Sequence, residues 1–137
     1  MGYLDEQTFR ELHPGWYDGS ISIKKDETVN NNDLTFDTFQ RTNAKRCREA
    51  FDQNLHDEEF FCIAIAGEVG EMCNEYKKVL RGDVPLDAVR GKLLAELADI
   101  ITYADLMITK LGGNTEIELI RKFNIVSDRR NCDIKLK

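Results

Sequence analysis

The chain has 137 residues, long enough for one domain with a core and too short for two ordinary ones. Hydrophobic residues make up 42% and charged residues 32%, a globular composition, and no apolar run approaches the roughly 18 residues that a transmembrane helix needs. The net charge of −6 argues against binding a nucleic-acid polymer through a broad basic face, although a divalent cation and a few lysines can reverse the field locally for a small anion.

In chain order, residues 1–33 stand apart. "HPGWYDGSISIKKDETVNNND" mixes turn formers, a short alternation at Ile21 to Ile23 and a polar run, and it reads as an irregular N-terminal arm in which Trp16 and Tyr17 are packing residues. Met1 to Gly15 lacks the apolar centre of a signal peptide, so a cytoplasmic protein with no membrane partner is expected. Residues 34–137 are expected to form the domain proper.

There, Phe36, Phe39, Asn43, Cys47, Ala50 and Phe51 recur at three- and four-residue steps, and with Asp33 or Thr35 as N-cap they predict an amphipathic helix over 35–55. A second helix over 57–80 opens on acidic residues and closes on "KKVLRG", the charge order that suits the helix dipole, with Gly82 as its stop. "GDVPLDAVRG" reads as a connection with room for a short helical turn, because it holds Pro85 and Gly91. A third helix is predicted over 92–111. "LGGNTEIELIRKF" then gives a glycine stop and a new start, with Thr115 and Glu118 at capping-box spacing, and a fourth helix over 115–126 or a little beyond.

The expected fold is therefore all-α, an antiparallel four-helix bundle. Helices two and three are apolar on more than one side, through Phe60, Ile63 and Ala66 in one and Ile100, Ile101, Ala104, Met107 and Ile108 in the other. One small bundle cannot cover such helices, which predicts a homodimer or homotetramer built through them. Cys47, Cys62, Cys73 and Cys132 lack CxxC spacing and zinc-spaced histidines, and are expected to be reduced and buried as small apolar residues.

The carboxylates carry the chemistry. Glu68, Glu71 and Glu75 recur at helical steps along one ridge of the apolar second helix, and Glu96 and Asp99 repeat the device on the third, with Lys92 and Tyr103 on the same face. Asp105 projects the other way and is expected to be solvated, while Glu75 is expected to pair with Lys78. One ExxE on a helix is usually a solvated face. Two pairs brought together by a short connection repel one another at low dielectric, and a divalent metal neutralises them. Oxygen-only ligands select hard cations, so Glu68, Glu71, Glu96 and Asp99 predict an Mg²⁺ site in which Mn²⁺ substitutes.

"GEVGE…ELAD" followed by "KFNIVSDRRN" resembles the MazG-like branch of the all-α nucleoside triphosphate pyrophosphohydrolases, whose motif is EExxE, a spacer and ExxD. The resemblance spans residues 36–131 and departs from the motif at Gly67, where the first glutamate is missing; the arm has no counterpart. It implies a MazG-like bundle and cleavage of a nucleoside triphosphate between the α and β phosphates to give the monophosphate and pyrophosphate, with Glu68 or Glu71 acting on the attacking water. It also implies that Lys122, Asn124 and Arg129 contact phosphate or substrate. From the residues alone these three equally read as a basic helix end that complements its dipole. Asn43, polar on the apolar stripe, reads either as a base or sugar contact or as a core hydrogen bond. Small stand-alone chains with this ending resemble those carried by bacteriophages, which points to deoxynucleotide pools and a host cytoplasm. Two other readings stay open: a dUTPase-like or dCTPase-like enzyme that also cleaves diphosphates, and a non-catalytic helical oligomer that binds a partner protein.

Overall fold

A computed structural model describes residues 34–51 and 57–137. The expected arm, with Trp16 and Tyr17, lies outside these residues, as do residues 52–56. Leu34–Lys137 forms one compact unit. Its described residues hold four helices and no strand: α1 (Phe36–Ala50), α2 (Glu58–Leu80), α3 (Leu86–Lys110) and α4 (Thr115–Arg129).

Local chemistry sets the ends. Thr35 caps α1 by accepting from the Thr38 amide, and the Thr38 hydroxyl accepts from the Thr35 amide in return. The helix stops at Ala50, earlier than the periodicity predicts, because Phe51 is extended and half exposed. Asp57 caps α2, and Gly82 leaves it in the left-handed region at φ 78°. The largest departure is the start of α3. It begins at Leu86 after Pro85, not near Lys92, and Gly91 sits inside the helix. Val89, 4% exposed, anchors this first turn, so burial outweighs the roughly 1 kcal/mol that a helical glycine costs. The expected capping box at Thr115 does not form. Asn114 is the N-cap, its side chain accepting from the Ile117 amide, while Glu118 pairs with Arg121.

α2 and α3 are antiparallel neighbours along most of their length: Phe61 packs near Leu106 at one end, and Glu75 meets Lys92 toward the other. α1 lies on α3 and α4, where Cys47 joins Phe61 and Leu106 in the core. Of the four cysteines only Cys47 is buried, and burial pushes its thiol up; Cys62 and Cys73 are exposed and Cys132 is half-buried, contrary to the expectation of four buried thiols.

A polar cluster fastens α1 to the α3–α4 corner. Asp105, expected in solvent, is 1% exposed. It does point away from the Glu96 and Asp99 ridge, but α1 and α4 cover that side. Its carboxylate accepts from Asn43 Nδ2 at 2.9 Å and from Thr115 Oγ1 at 2.5 Å. Asn43 also donates to the Thr102 carbonyl, and Gln40 bridges Thr109, the Gly113 carbonyl and the Thr115 amide. A buried carboxylate is tolerated here because donors surround it.

Candidate metal and phosphate site

The seam between α2 and α3 carries the carboxylates. Side chains three and four residues apart share a helix face, so Glu68, Glu71 and Glu75 follow one another along α2 as Asp99, Glu96 and Lys92 do along α3 in the opposite chain direction. Glu68, Glu96 and Asp99 each bring a carboxylate oxygen within 4.8 Å of the others. Glu68 and Glu96 are half-buried and Asp99 is exposed. Glu71 is exposed and stands outside this group, although its charge is felt at Glu68.

Crowding shows in the protonation of Glu68. Burial, a hydrogen bond with Glu96 and the negative charges of Asp99, Glu71 and Glu96 all push its carboxyl above the usual range. Among the described residues, no lysine or arginine forms an ion pair with any of the three clustered acids. Glu75, one turn along, is the contrast. Lys78 Nζ donates to its Oε1 at 2.5 Å, Lys92 Nζ lies 3.5 Å from its Oε2, and these cations hold its carboxyl below the usual range. The sequence predicted the Lys78 partner. Lys92 escaped it because a cross-helix pair depends on register, which residue spacing within one helix does not contain.

At the other end of the seam, about two turns from Glu68 on α2, a cavity of about 370 Å³ is lined by Ala44, Cys47, Arg48, Phe61, Leu106, Thr109 and Lys110. It has an apolar floor and a cationic rim. Tyr103, on the same ridge as Asp99, packs edge-on to Phe60 beside it.

The remaining candidates lie elsewhere. Asn43 is buried and committed to Asp105 and Thr102, the core hydrogen bond of its two readings. Lys122 and Arg129 do share α4, which extends to Arg129, and both are exposed; neither forms a hydrogen bond or ion pair with the seam among the described residues. Asn124 pairs its amide with the backbone of Leu136, donating at 3.0 Å and accepting at 2.9 Å, and so holds the C-terminal segment on α4. No helix among the described residues is long and apolar enough to cross a membrane. No family model, no curated protein and no solved structure matches this chain.

Proposed function

We propose that the protein is a metal-dependent hydrolase that cleaves (deoxy)nucleoside triphosphates between the α and β phosphates, releasing the monophosphate and pyrophosphate, and that it works as a homodimer or homotetramer. The observation that carries this reading is the meeting of Glu68, Glu96 and Asp99 from two helices, within 4.8 Å and with no cationic side chain paired to them among the described residues. The pairing of ExxE with ExxD, similar to that of the MazG-like enzymes, supports a triphosphate as substrate.

The donor set fits Mg²⁺ or Mn²⁺: it is all carboxylate, and the neighbouring negative charges that push the Glu68 carboxyl up are ones that a cation would compensate. Such an ion supplies charge neutralisation at the phosphate oxygens and at the departing pyrophosphate. Glu68, Glu96 and Asp99 hold it. Glu71, close by but outside the cluster, takes the proton of the attacking water. The water oxygen bonds to the α phosphorus as that atom's bond to the α–β bridging oxygen breaks, and the bridging oxygen leaves with the electron pair in pyrophosphate.

Exposed apolar side chains support the assembly. Ile63 (73% exposed), Leu94 (62%) and Ile101 (59%) stand on the α2–α3 pair, and a groove of about 430 Å³ runs along Met72, Tyr76, Leu80, Leu93 and Leu97. A second copy is the occupant that the apolar character of both helices favours.

Product analysis on the common NTPs and dNTPs, with Mg²⁺, with Mn²⁺ and with chelator, tests the reading. It expects pyrophosphate and monophosphate only with metal, and loss of turnover of about a hundredfold or more in Glu71→Gln. Phosphate released from a diphosphate would move the protein to the dUTPase-like or dCTPase-like class. A folded protein that turns over no nucleotide would leave the helical binding module.

A further inference from the structure

The reaction leaves pyrophosphate in a seam dominated by carboxylates, so something cationic must receive it. The expectation from the sequence is α4, through Lys122 and Arg129. The structure offers a nearer pair. Along α2, Glu75 is one turn past Glu71; along α3, Lys92 is one turn before Glu96; and Glu75 and Lys92 face each other across the same seam. From the acids at Glu68, Glu96 and Asp99 the span to this pair is two turns along α2, about 10 Å, and one turn along α3, about 6 Å, which an extended triphosphate and the length of a lysine side chain cover together.

We propose that Lys78 and Lys92, steered by Glu75, form the binding site for the β and γ phosphates of the substrate and for the pyrophosphate product. This assignment rests on the hydrolase reading above for its orientation, with the reacting phosphate at Glu68, Glu96 and Asp99.

Three observations carry it. First, two ammonium groups serve one carboxylate, which leaves a net positive charge directly beside the carboxylate ridge. Second, the two are held unequally. Lys78 makes a close hydrogen bond to Oε1, whereas Lys92 stays 3.5 Å from Oε2, beyond hydrogen-bonding range, and its side chain is 64% exposed. Oε2 is itself out of solvent and receives no hydrogen bond. A bridge that served stability alone would close that gap; Lys92 is attracted to Glu75 without being bonded to it, and its exposed side chain has room to turn toward an anion. Third, the seam has an unlike far end, where the cavity over Phe61 and Leu106 offers an apolar floor of a size suited to a base and sugar. The substrate therefore lies along the seam with its nucleoside toward α1 and its distal phosphates toward the α2–α3 turn.

The test is calorimetric binding of pyrophosphate in the presence of Mg²⁺, run on the full chain and on Lys92→Gln, Lys78→Gln and Lys92→Arg, beside turnover, inhibition by nucleoside monophosphate and thermal denaturation. Each lysine lost is expected to weaken pyrophosphate binding about tenfold or more. Inhibition by monophosphate should stay within about twofold, and Lys92→Arg should restore most of the pyrophosphate affinity. Unchanged pyrophosphate binding in both glutamine variants overturns the assignment, as does a wild-type chain that binds no pyrophosphate, or a loss that only tracks a lower melting temperature. Lysine-dependent pyrophosphate binding in a chain that hydrolyses no nucleotide keeps the site and removes the hydrolase reading. Turnover that is indifferent to both lysines, with pyrophosphate binding also unchanged, does the reverse.

Discussion

Asp105 is the most deeply buried charged residue described, and it shows how a carboxylate is kept inside a small domain: Asn43 and Thr115 both donate to it, and the group ties three helices together. Removing the carboxylate strands both donors, so Asp105→Ala should destabilise the fold by about 3 kcal/mol, read from the urea midpoint. A change below about 0.5 kcal/mol would show that the network carries no weight. Glu68 behaves oppositely, since among the described residues no cationic side chain pairs with it. Its carboxyl titrates higher folded than unfolded, so the folded chain binds the extra proton. Stability without metal should therefore rise as pH falls from above the raised value toward the unfolded value of about 4.3. Glu75, depressed by Lys78 and Lys92, contributes stability above about pH 4.3 that is lost below it, so the two effects occupy different windows. Melting temperatures followed without metal from pH 7.5 down to about pH 4.5 should gain more in the wild type than in Glu68→Gln; equal pH responses would contradict the crowding. The ridge of carboxylates was legible in residue spacing. The fate of Asp105 was not, because helical periodicity gives the side it points to, and which helices cover that side is a property of tertiary packing.

At the scale of elements, helix identities were readable where caps and apolar period agreed: Thr35 before α1, Asp57 before α2 and the Gly112–Gly113 stop before α4 all act as their chemistry suggests. Pro85 and Gly91 misled the reading of α3. Each is a helix breaker in isolation, yet a proline just before the first turn loses no needed amide, and Val89 supplies the burial that the glycine lacks. The α2–α3 turn also depends on Gly82, whose positive φ costs a side-chain-bearing residue about 1 kcal/mol. Gly82→Ala should lower stability by about that amount, while nothing crowds the added methyl. A loss several times larger would mean that the turn resists more than a change in backbone preference.

At the scale of the molecule, few of the described apolar side chains are fully buried, whereas Leu80, Ile63, Leu94 and Ile101 are among the most exposed. The apolar surface that the described residues expose on α2 and α3 is the surface that the proposed homo-oligomer would cover, and the sequence shows the same feature as helices apolar on more than one side. Sedimentation equilibrium at micromolar concentration should give a dimer or tetramer, and Ile101→Glu should shift it to a smaller species. A wild-type monomer would contradict this.

A metal held by Glu68, Glu96 and Asp99 is tested most directly by a calorimetric titration of Mn²⁺ into the metal-free chain at neutral pH, beside Glu96→Gln. Saturable binding, weakened roughly tenfold or more by Glu96→Gln, is the predicted result. Binding that Glu96→Gln leaves unchanged, or no binding to the folded wild type, would contradict a metal site at this seam.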